Sequence, residues 1–292
     1  MQQFKNIGLI GRVENSAAIE TITVIKDYLL AKGLSVIIEE DTAAALANHG
    51  LQVCGHQQLG GTADLVIVVG GDGSMLGAAR ALARHKVPVL GVNRGRLGFL
   101  TDITPSDLEA GLEQVLQGNY ILENRFLLES TIQRDGESIG TGHALNDVVL
   151  HPGMATRMIE FELFIDGLFV YSQRSDGLIL ATPTGSTAYA LSAGGPIMHP
   201  SLDAMVLVPM FPHTLTNRPI VVSGGSEIKI VLSDENHSDL QISCDGQENF
   251  VVTPGDVIFI RKYPHKLRLV HLMGHNYYEV CRNKLGWGSR LA

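Results

Sequence analysis

Residues 65–73 read Leu-Val-Ile-Val-Val-Gly-Gly-Asp-Gly. The five apolar residues predict a buried strand, and a helical run follows from Ser74 to about His85. Glycines in such a turn let the backbone approach a ligand closely, and the helix N-terminus behind them favours phosphate. With Asp72 at its centre, the turn points to phosphoryl chemistry. The same pattern also fits a purely steric turn with Asp72 as an N-cap, so the turn alone leaves both interpretations open.

This turn differs from two common phosphate-binding loops. No Lys-Ser or Lys-Thr follows the glycines, so it is not a Walker A loop. Gly71, Gly73 and Gly77 are spaced one residue too long for a dinucleotide fingerprint. The next strand, 87–92, ends in Asn93-Arg94 and not in the acid that binds a ribose. Hydride transfer is therefore disfavoured, although an Arg there could meet a 2′-phosphate.

The first 120 residues alternate between strands and helices. We predict strands at 6–10 and 35–39, and helices at 16–32, 42–48 and 106–117. Continuous apolar strands between amphipathic helices predict an α/β domain with a doubly wound parallel sheet. Ligands of such sheets bind beyond the carboxyl ends of the strands, which is where Asp72 lies.

Residues 121–271 have a different pattern and predict a C-terminal β-rich domain. Alternating segments such as 158–165 are separated by short turns. Four pairs read as hairpin or tight turns: Asp135-Gly136, Asp166-Gly167, Gly224-Gly225 and Asp245-Gly246. Residues 272–292 form a tail with helical spacing at 277–285, which we expect to pack back on the first domain.

The composition excludes several classes of protein. The chain of 292 residues has 45% hydrophobic and 18% charged residues and a net charge of −8. This balance argues against partnership with nucleic acid or with an anionic membrane. Three dispersed cysteines and the absence of an apolar leader or membrane span lead us to expect a cytoplasmic protein.

A second group of polar residues lies in the β-rich half. Residues 182–196 read Thr-Pro-Thr-Gly-Ser-Thr-Ala-Tyr-Ala-Leu-Ser-Ala-Gly-Gly-Pro. Capping would need only one or two of these hydroxyl groups, so we expect a ligand here. The small residues Ala188, Ala190 and Ser192 leave room for a flat ring, on which Tyr189 could stack. Asn146-Asp147 could pair with ribose or adenine, but read alone it favours a turn.

The histidines do not predict a metal site in the protein. The eleven His residues show neither H-E-x-x-H nor a zinc spacing. His151, His199 and His213 are therefore interpreted as structural, although His213 could line a site. Arg94 and Arg96 either face phosphates or lie in a solvated loop.

These motifs together resemble the NAD kinase family. The resemblance rests on six segments in the expected order, over almost the whole chain: 70–73, 93–100, 146–147, 174–177, 182–196 and 212–219. Gly-Gly-Asp-Gly alone is shared with phosphofructokinases and with diacylglycerol and sphingosine kinases. The stretch Thr-Pro-Thr-Gly-Ser-Thr-Ala-Tyr is highly specific.

The resemblance implies transfer of the γ-phosphoryl group of ATP to the adenosine 2′-hydroxyl of NAD, which gives NADP. It implies a divalent metal (Mg²⁺ or Mn²⁺) carried by ATP, an active site between two domains, and a homo-oligomer, a tetramer or a dimer. Asp72 would be the general base, and Gly70, Gly71 and Arg94 would bind phosphate. The residues implied in NAD binding are Asp72, Gly73, Asn146, Asp147, Arg157, Arg174, Asp176, Thr187, Ala188, Tyr189, Ala190, Leu191, Ser192 and Gln247. The family usually has Asn-Glu where this chain has Asn146-Asp147, so the reach of the shorter acid is in question.

Three other functions remain as alternatives. A lipid kinase of the Gly-Gly-Asp-Gly group would need an apolar slot and membrane contact, against which the acidic balance argues. A dinucleotide-binding regulator would bind without turnover, and its binding would not depend on the Asp72 carboxylate. An oxidoreductase is disfavoured by the missing acid after residue 92.

Overall fold

The computed structural model describes residues 4–11, 16–46, 48–94, 98–153, 157–214, 216–236 and 240–287. Two compact units divide the chain: unit 1 comprises residues 1–124 and 265–292, and unit 2 comprises residues 125–264. The elements that begin in the first 124 residues, in chain order, are β1 Asn6–Gly11, α1 Ser16–Ala31, β2 Ser35–Glu39, α2 Glu40–Ala45, β3 Gln52–Cys54, α3 His56–Thr62, β4 Leu65–Gly70, α4 Asp72–Leu82, β5 Pro88–Asn93, α5 Leu108–Leu116 and β6 Tyr120–Arg134.

The rest of the chain is mostly β-structure. Its elements, in chain order, are β7 Glu137–Ala144, β8 Asp147–His151, β9 Ile159–Ile165, β10 Leu168–Ser175, β11 Gly177–Ala181, α6 Tyr189–Ser192, β12 Ala204–Met210, β13 Ile220–Ser223, β14 Ile228–Leu232, β15 Leu240–Cys244, β16 Glu248–Val252, β17 Val257–Leu272 and α7 Tyr277–Leu285. None of the helices among the described residues combines the length and the apolar character that crossing a membrane requires.

Unit 1 contains the predicted doubly wound parallel sheet. Its strand order is β3-β2-β1-β4-β5-β17, with every pair parallel. Helices α1 and α5 share a core with Ile7 and Leu9 of β1. Gly8, on the opposite face of that strand, approaches Leu59 of α3 so closely that a β-carbon would stand 2.9 Å from its Cδ1. The strand order reverses between β1 and β4, which is where ligands of such sheets bind.

Unit 2 consists of antiparallel strands, as predicted. One set runs β10-β9-β14-β17, with β6 beside β17 and β7 beside β6, and the other runs β13-β12-β11-β8-β15-β16. Alternate apolar residues of both sets form one core, with Phe161 of β9, Leu180 of β11 and Ile230 of β14 among its members. Three of the predicted turns, at 135–136, 166–167 and 245–246, have positive φ at both residues, as type I′ hairpin turns require.

Several element boundaries differ from the predictions for identifiable reasons. Helix α2 begins at Glu40 and not at residue 42, because the Glu39 side chain caps it by accepting from Asp41 N and Thr42 N. Helix α5 begins at Leu108, after a 3₁₀ turn over 105–107. The units divide at 124/125 and 264/265, whereas the predicted domains divide at 120/121 and 271/272. Strands β6 and β17 run through both divisions without a turn, so no sequence signal marks them.

Candidate functional site

The Gly-Gly-Asp-Gly turn joins β4 to α4 at the reversal point of the unit 1 sheet. Every residue of β4 is buried, and α4 begins at Asp72 with Gly71 as its N-cap. Asp72 is therefore the first residue of the helix and not its cap. The N-cap interpretation of Asp72 is wrong, and its carboxylate is left to interact elsewhere.

The Asp72 carboxylate is held by the loop that follows β5. Its Oδ2 accepts from Phe99 N at 3.0 Å, and its Oδ1 accepts from Leu100 N at 3.0 Å. Each carboxylate oxygen has a further lone pair after these bonds. The two amides thus fix the orientation of the acid and leave it able to accept a proton from a ligand.

The loop itself is anchored to the ends of β4 and β5. The Thr101 hydroxyl accepts from Asn93 Nδ2 and from Gly98 N, both at 3.0 Å. Gly91 of β5 lies against Leu100, where a β-carbon would stand 2.5 Å from the carbonyl oxygen. These contacts account for Gly91 of β5 and for Asn93, the first residue of the 93–100 segment. Residues 95–97, which include Arg96, lie outside the described residues.

The predicted phosphate-binding residues lie close to Asp72 in the chain but differ in exposure. Gly70 is buried in β4, whereas Gly71 and Gly73 are exposed at the start of α4. A β-carbon on Gly71 would meet nothing within 4 Å, so this glycine borders open space. Arg94 forms an ion pair with Glu20, with 3.4 Å between Nη2 and Oε2.

Unit 2 contains a cavity of about 660 Å³. Its lining residues are Asn146, Asp147, Val149, His151, Pro152, Arg157, Asp176, Ala188, Tyr189, Met210, Ser243, Asp245 and Gly246. Six of the residues implied in NAD binding are among them. A cavity of this size, with a few convergent polar groups, is typical of a small-molecule site.

Two carboxyl groups dominate the electrostatics of this cavity. Burial and the nearby Asp245 carboxylate raise the pKa of Asp147 to about 7. The Asp245 carboxylate is itself occupied with backbone, because it accepts from Leu145 N at 3.0 Å and from Asn146 N at 2.7 Å. Asp147 is therefore a mixture of acid and carboxylate at neutral pH, and it can donate to a ligand as well as accept from it.

The hydroxyl-rich segment after β11 mostly bonds to its own surroundings. The hydroxyl groups of Thr182, Ser186 and Thr187 each donate to a backbone carbonyl, at 2.6, 2.7 and 3.2 Å. A hydroxyl oxygen that donates can still accept, so these bonds give the three groups a structural role, and a ligand at this segment stays a prediction. They hold the loop in shape, and Ala188 and Tyr189 are the residues of this segment that reach the cavity.

Gly185 fixes the position of Asn146. A β-carbon on Gly185 would stand 2.1 Å from the Asn146 carbonyl oxygen, which also accepts from Thr182 N at 2.9 Å. The loop and the start of β8 therefore fit together backbone against backbone. This contact places Asn146 and Tyr189 at one cavity.

The remaining residues implied in NAD binding do not line this cavity. Arg174 and Gln247 are exposed, and Thr187 and Leu191 are half-buried. Ala190 is fully buried in a core with Val206 and Val208, so it does not provide the predicted room for a ring. Ser192 lines a second cavity of about 460 Å³ in unit 2, together with Thr214 and Arg218 of the 212–219 segment. Leu215 of that segment lies outside the described residues.

Sequence reasoning missed seven lining residues: Val149, His151, Pro152, Met210, Ser243, Asp245 and Gly246. A signal existed for two of them, because Val149 and His151 follow Asp147 at the two-residue period of one strand face. Burial lowers the pKa of His151. Its Nδ1 accepts from Gly153 N at 3.2 Å, so the ring is neutral and this nitrogen is already bonded to the backbone.

The chain was compared with known proteins. Residues 7–120 match the family model described as the ATP-NAD kinase N-terminal domain, and residues 145–272 match the ATP-NAD kinase C-terminal domain. Proteins named NAD kinase from Ectopseudomonas mendocina (strain ymp) and Pseudomonas putida (strain W619) are each 64% identical over 291 residues. The match covers 100% of this chain and 99% and 98% of theirs.

Two solved structures are also similar. Yeast NADH kinase complexed with NADH matches with a TM-score of 0.90 and 27% identity, over 100% of this chain and 91% of that one. An NAD kinase from Archaeoglobus fulgidus in complex with ATP matches with a TM-score of 0.72 and 25% identity, over 96% of this chain and 97% of that one.

Proposed function

The chain belongs to the NAD kinase family, and we propose that it transfers the γ-phosphoryl group of ATP to the adenosine 2′-hydroxyl of NAD. The ribose oxygen forms a bond to the γ-phosphorus while the bond from that phosphorus to the bridging oxygen of ADP breaks. The hydroxyl proton passes to a base, and the products are NADP and ADP.

Asp72 is the proposed general base. The observation that carries this assignment is the pair of 3.0 Å bonds from Phe99 N and Leu100 N, which fix both carboxylate oxygens. A ribose hydroxyl is a poor nucleophile, so a fixed carboxylate that accepts its proton assists the attack. Phosphoryl transfer otherwise depends mainly on positioning and electrostatics, which suits a site without further reactive side chains.

The phosphates are proposed to bind at the start of α4. Gly71 and Gly73 are exposed residues at the start of α4, where the positive end of the helix dipole suits anionic oxygens. Gly70, the last residue of β4, lets the chain turn closely towards α4. Arg94 would exchange its ion pair with Glu20 for a phosphate. The ATP bound to the Archaeoglobus fulgidus protein agrees with this choice of donor.

NAD is proposed to occupy the 660 Å³ cavity with its adenosine end. Asn146 and Asp147 would bond to ribose or adenine, Tyr189 would stack on a ring, and Asp176 would accept from a hydroxyl or an amine. The other proposed contacts, on the strength of the family motifs, are Asp72, Gly73, Arg157, Arg174, Thr187, Ala188, Ala190, Leu191, Ser192 and Gln247. The yeast neighbour binds NADH, so NADH is the second acceptor to assay.

A divalent metal, Mg²⁺ or Mn²⁺, is proposed to enter with ATP. The turn offers one fixed carboxylate beside a helix N-terminus and not a cage of several acids. One carboxylate with phosphate oxygens matches the way Mg²⁺ is usually held. When bound, the ion neutralises charge that develops on the transferring phosphoryl group.

A cytoplasmic location and a homo-oligomer, tetramer or dimer, complete the proposal. Cys54, Cys244 and Cys281 are buried and dispersed along the chain, a use of cysteine that is typical of a reducing compartment. The family resemblance is the support for the oligomer. Sedimentation velocity of the purified protein measures the oligomeric state directly.

The decisive experiment compares wild type with Asp72→Asn. NADP formed from NAD, ATP and Mg²⁺ is measured with an NADP-specific dehydrogenase, and NAD affinity is measured by calorimetry. We expect kcat to fall by about 10²–10⁴-fold, the usual contribution of a general base. The dissociation constant of NAD should change only a few-fold. Equal turnover in the variant would remove Asp72 as base, and NAD binding without any product from wild type would favour the regulator.

Asp64→Asn is a matched control. The Asp64 carboxylate also accepts two backbone N–H groups in unit 1, from Lys5 and Asn6, both at 2.9 Å. It therefore removes the charge of another carboxylate that accepts two backbone N–H groups, without touching the turn. Its kcat should stay within two-fold of wild type, by the ordinary tolerance for a distant substitution.

A further inference from the structure

Four ionisable side chains of unit 1 meet near the C-terminal end of β17. His271 is 1% exposed, and its Nδ1 lies 2.9 Å from Asp102 Oδ1. His271 Nε2 lies 3.0 Å from Glu123 Oε2. His275 Nδ1 lies 3.2 Å from Asp102 Oδ2, and the two imidazole rings stack with centroids 3.7 Å apart. None of these groups has a role in the proposed reaction.

We propose that Asp102, His271 and His275 bind a divalent transition-metal ion such as Zn²⁺. One potential ligand atom from each residue lies within 4.8 Å of the others. Two imidazole nitrogens and a carboxylate oxygen are a donor set that Zn²⁺ and its first-row neighbours accept. His271 and His275 are four residues apart, an H-x3-H spacing that zinc sites use, so the expectation that the histidines show no zinc spacing is wrong at this pair. Asp102 is distant from both in sequence, and only the fold brings it to them.

Two of the separations between potential ligand atoms match those around a bound metal ion. Ligands about 2.1 Å from a metal stand roughly 3.0 Å apart in an octahedral site and 3.4 Å apart in a tetrahedral one. The separations of 2.9 and 3.2 Å between Asp102 and the two Nδ1 atoms are close to these values. The two Nδ1 atoms lie within 4.8 Å of each other, so an ion that replaces the shared protons would draw the two rings together around it.

The surroundings are those of a metal-binding histidine. Glu123 lies at the far nitrogen of His271, where it can accept from Nε2–H and leave the Nδ1 lone pair for the ion. Leu272 N donates to Asp102 Oδ2 at 3.0 Å and orients that carboxylate. Ligating histidines commonly have such a carboxylate partner, which fixes the tautomer.

A cavity of about 240 Å³ adjoins the cluster and could complete the coordination. Asp102 and His275 line it, and Glu279 and Asn283 of α7 line it as well. These two side chains offer oxygen atoms, and the volume accommodates water. A bound ion would tie the loop after β5 to the segment that enters α7.

The competing explanation is a hydrogen-bonded cluster with no ion. Burial lowers the pKa of His271, but its hydrogen bonds to Asp102 and Glu123 outweigh burial and raise that pKa. A metal must therefore displace a well-held proton. The metal ion proposed to enter with ATP is not the ion proposed for this site, because Mg²⁺ prefers oxygen ligands and octahedral geometry.

Metal titration of the full chain tests the proposal. EDTA-treated protein is titrated with Co²⁺, followed by its visible absorption, and with Zn²⁺, followed by calorimetry. We expect one Zn²⁺ per chain, a Co²⁺ band of a low-symmetry site, and a higher thermal midpoint with Zn²⁺. His275→Gln should weaken Zn²⁺ binding at least about ten-fold and remove the rise in midpoint.

His49→Gln is the control for adventitious binding to histidine. His49 is half-buried in unit 1, and its Nδ1 accepts from Leu51 N at 3.1 Å, away from any carboxylate pair. This variant should bind Zn²⁺ as wild type does. Absence of the Co²⁺ band from wild type, or equal binding by wild type and His275→Gln, would overturn the proposal. If circular dichroism shows that His275→Gln is unfolded, crystals of wild type soaked in Zn²⁺ provide the test instead. An anomalous peak among the three side chains would support the site, and a map without such a peak would refute it.

Discussion

Gly98 lies so close to Asp72 that a β-carbon built on the glycine would stand 2.0 Å from the carboxylate Oδ1. The next two residues, Phe99 and Leu100, donate their backbone N–H groups to that same carboxylate. The φ angle of Gly98 is not in the left-handed region, so space and not backbone conformation requires a glycine here. The orientation of the proposed base thus depends on the smallest residue of a different loop.

Gly98→Ala should therefore impair catalysis more than folding. The new methyl group must displace either the carboxylate or the loop, and a misplacement of about 1 Å can cost 10²-fold in rate. We expect kcat for NADP formation to fall about 100-fold while the far-ultraviolet circular dichroism stays unchanged. Gly61→Ala is the control, since its β-carbon would lie 3.8 Å from His85 Nδ1, an ordinary contact. Wild-type turnover in Gly98→Ala would show that the position of Asp72 is not critical.

Gly71→Ala should weaken ATP binding without lowering the stability of the fold. Its φ of −107° suits any residue, and its β-carbon would meet nothing within 4 Å, so the thermal midpoint should not fall. If phosphates lie against this turn, the methyl group enters their space, and KM for ATP should rise by about ten-fold, or about 1.4 kcal/mol. Gly225→Ala, in a turn of unit 2, serves as the control, because the nearest atom to its β-carbon would be Ser223 Oγ at 3.8 Å, an ordinary contact. An unchanged KM for ATP would move the phosphates away from Gly71.

Tyr189 should contribute to NAD binding through its ring. The side chain is 47% exposed and lines the 660 Å³ cavity. Aromatic contacts contribute about 0.5–1.5 kcal/mol beyond the area they bury. We expect Tyr189→Ala to weaken NAD about ten-fold by calorimetry and Tyr189→Phe to bind within about two-fold of wild type. A loss of the same size in both variants would assign the effect to the hydroxyl group and exclude stacking.

Asp147 should make the protein less stable as the pH rises. Its pKa is raised from 3.8 to about 7 by burial and by Asp245, so between these values the unfolded chain binds fewer protons than the folded one. Stability from this residue therefore falls from pH 4 to pH 7 and is constant above. Asp147→Asn removes this loss of stability. In urea denaturation the free energy of unfolding of the variant should exceed that of wild type by about 1–3 kcal/mol at pH 8 and should differ little from it at pH 4.

Asp166→Asn is the control for the pH experiment. Asp166 is exposed in a hairpin turn with φ of 50°, a conformation that Asn tolerates, and its Oδ1 accepts from Glu227 N. Its stability relative to wild type should not change between pH 4 and pH 8. A parallel pH response of the two variants would refute the specific role of Asp147.

The sequence was sufficient for the parts of the fold that local pattern controls. The apolar run of β4, the alternation in 158–165 and the Asp-Gly turns each correspond to an observed element. These features depend on period and on turn chemistry, which are local. The type of fold followed from them.

The contacts that hold the site were not predictable in this way. The bonds that Phe99 N and Leu100 N donate to Asp72, and that Asn146 N donates to Asp245, join residues that are distant in the chain. A single sequence does not show such pairs. The backbone bonds of the Thr182 and Ser186 hydroxyl groups were not predictable either, because the fold and not the composition determines their acceptors, Leu145 O and Pro183 O.

Strand β17 also affects the order in which a nascent chain can fold. Residues 125–264 form a contiguous stretch, whereas the unit 1 sheet receives its last strand from residues 268–270, which pair with Pro88, Val89 and Leu90 of β5. A ribosome delivers that strand only after all of unit 2. Until then residues 88–90 of β5 have an unpaired edge, the kind of edge on which chains associate wrongly. The protein thus completes unit 1 last, and a chain that stops after residue 264 would retain that open edge permanently.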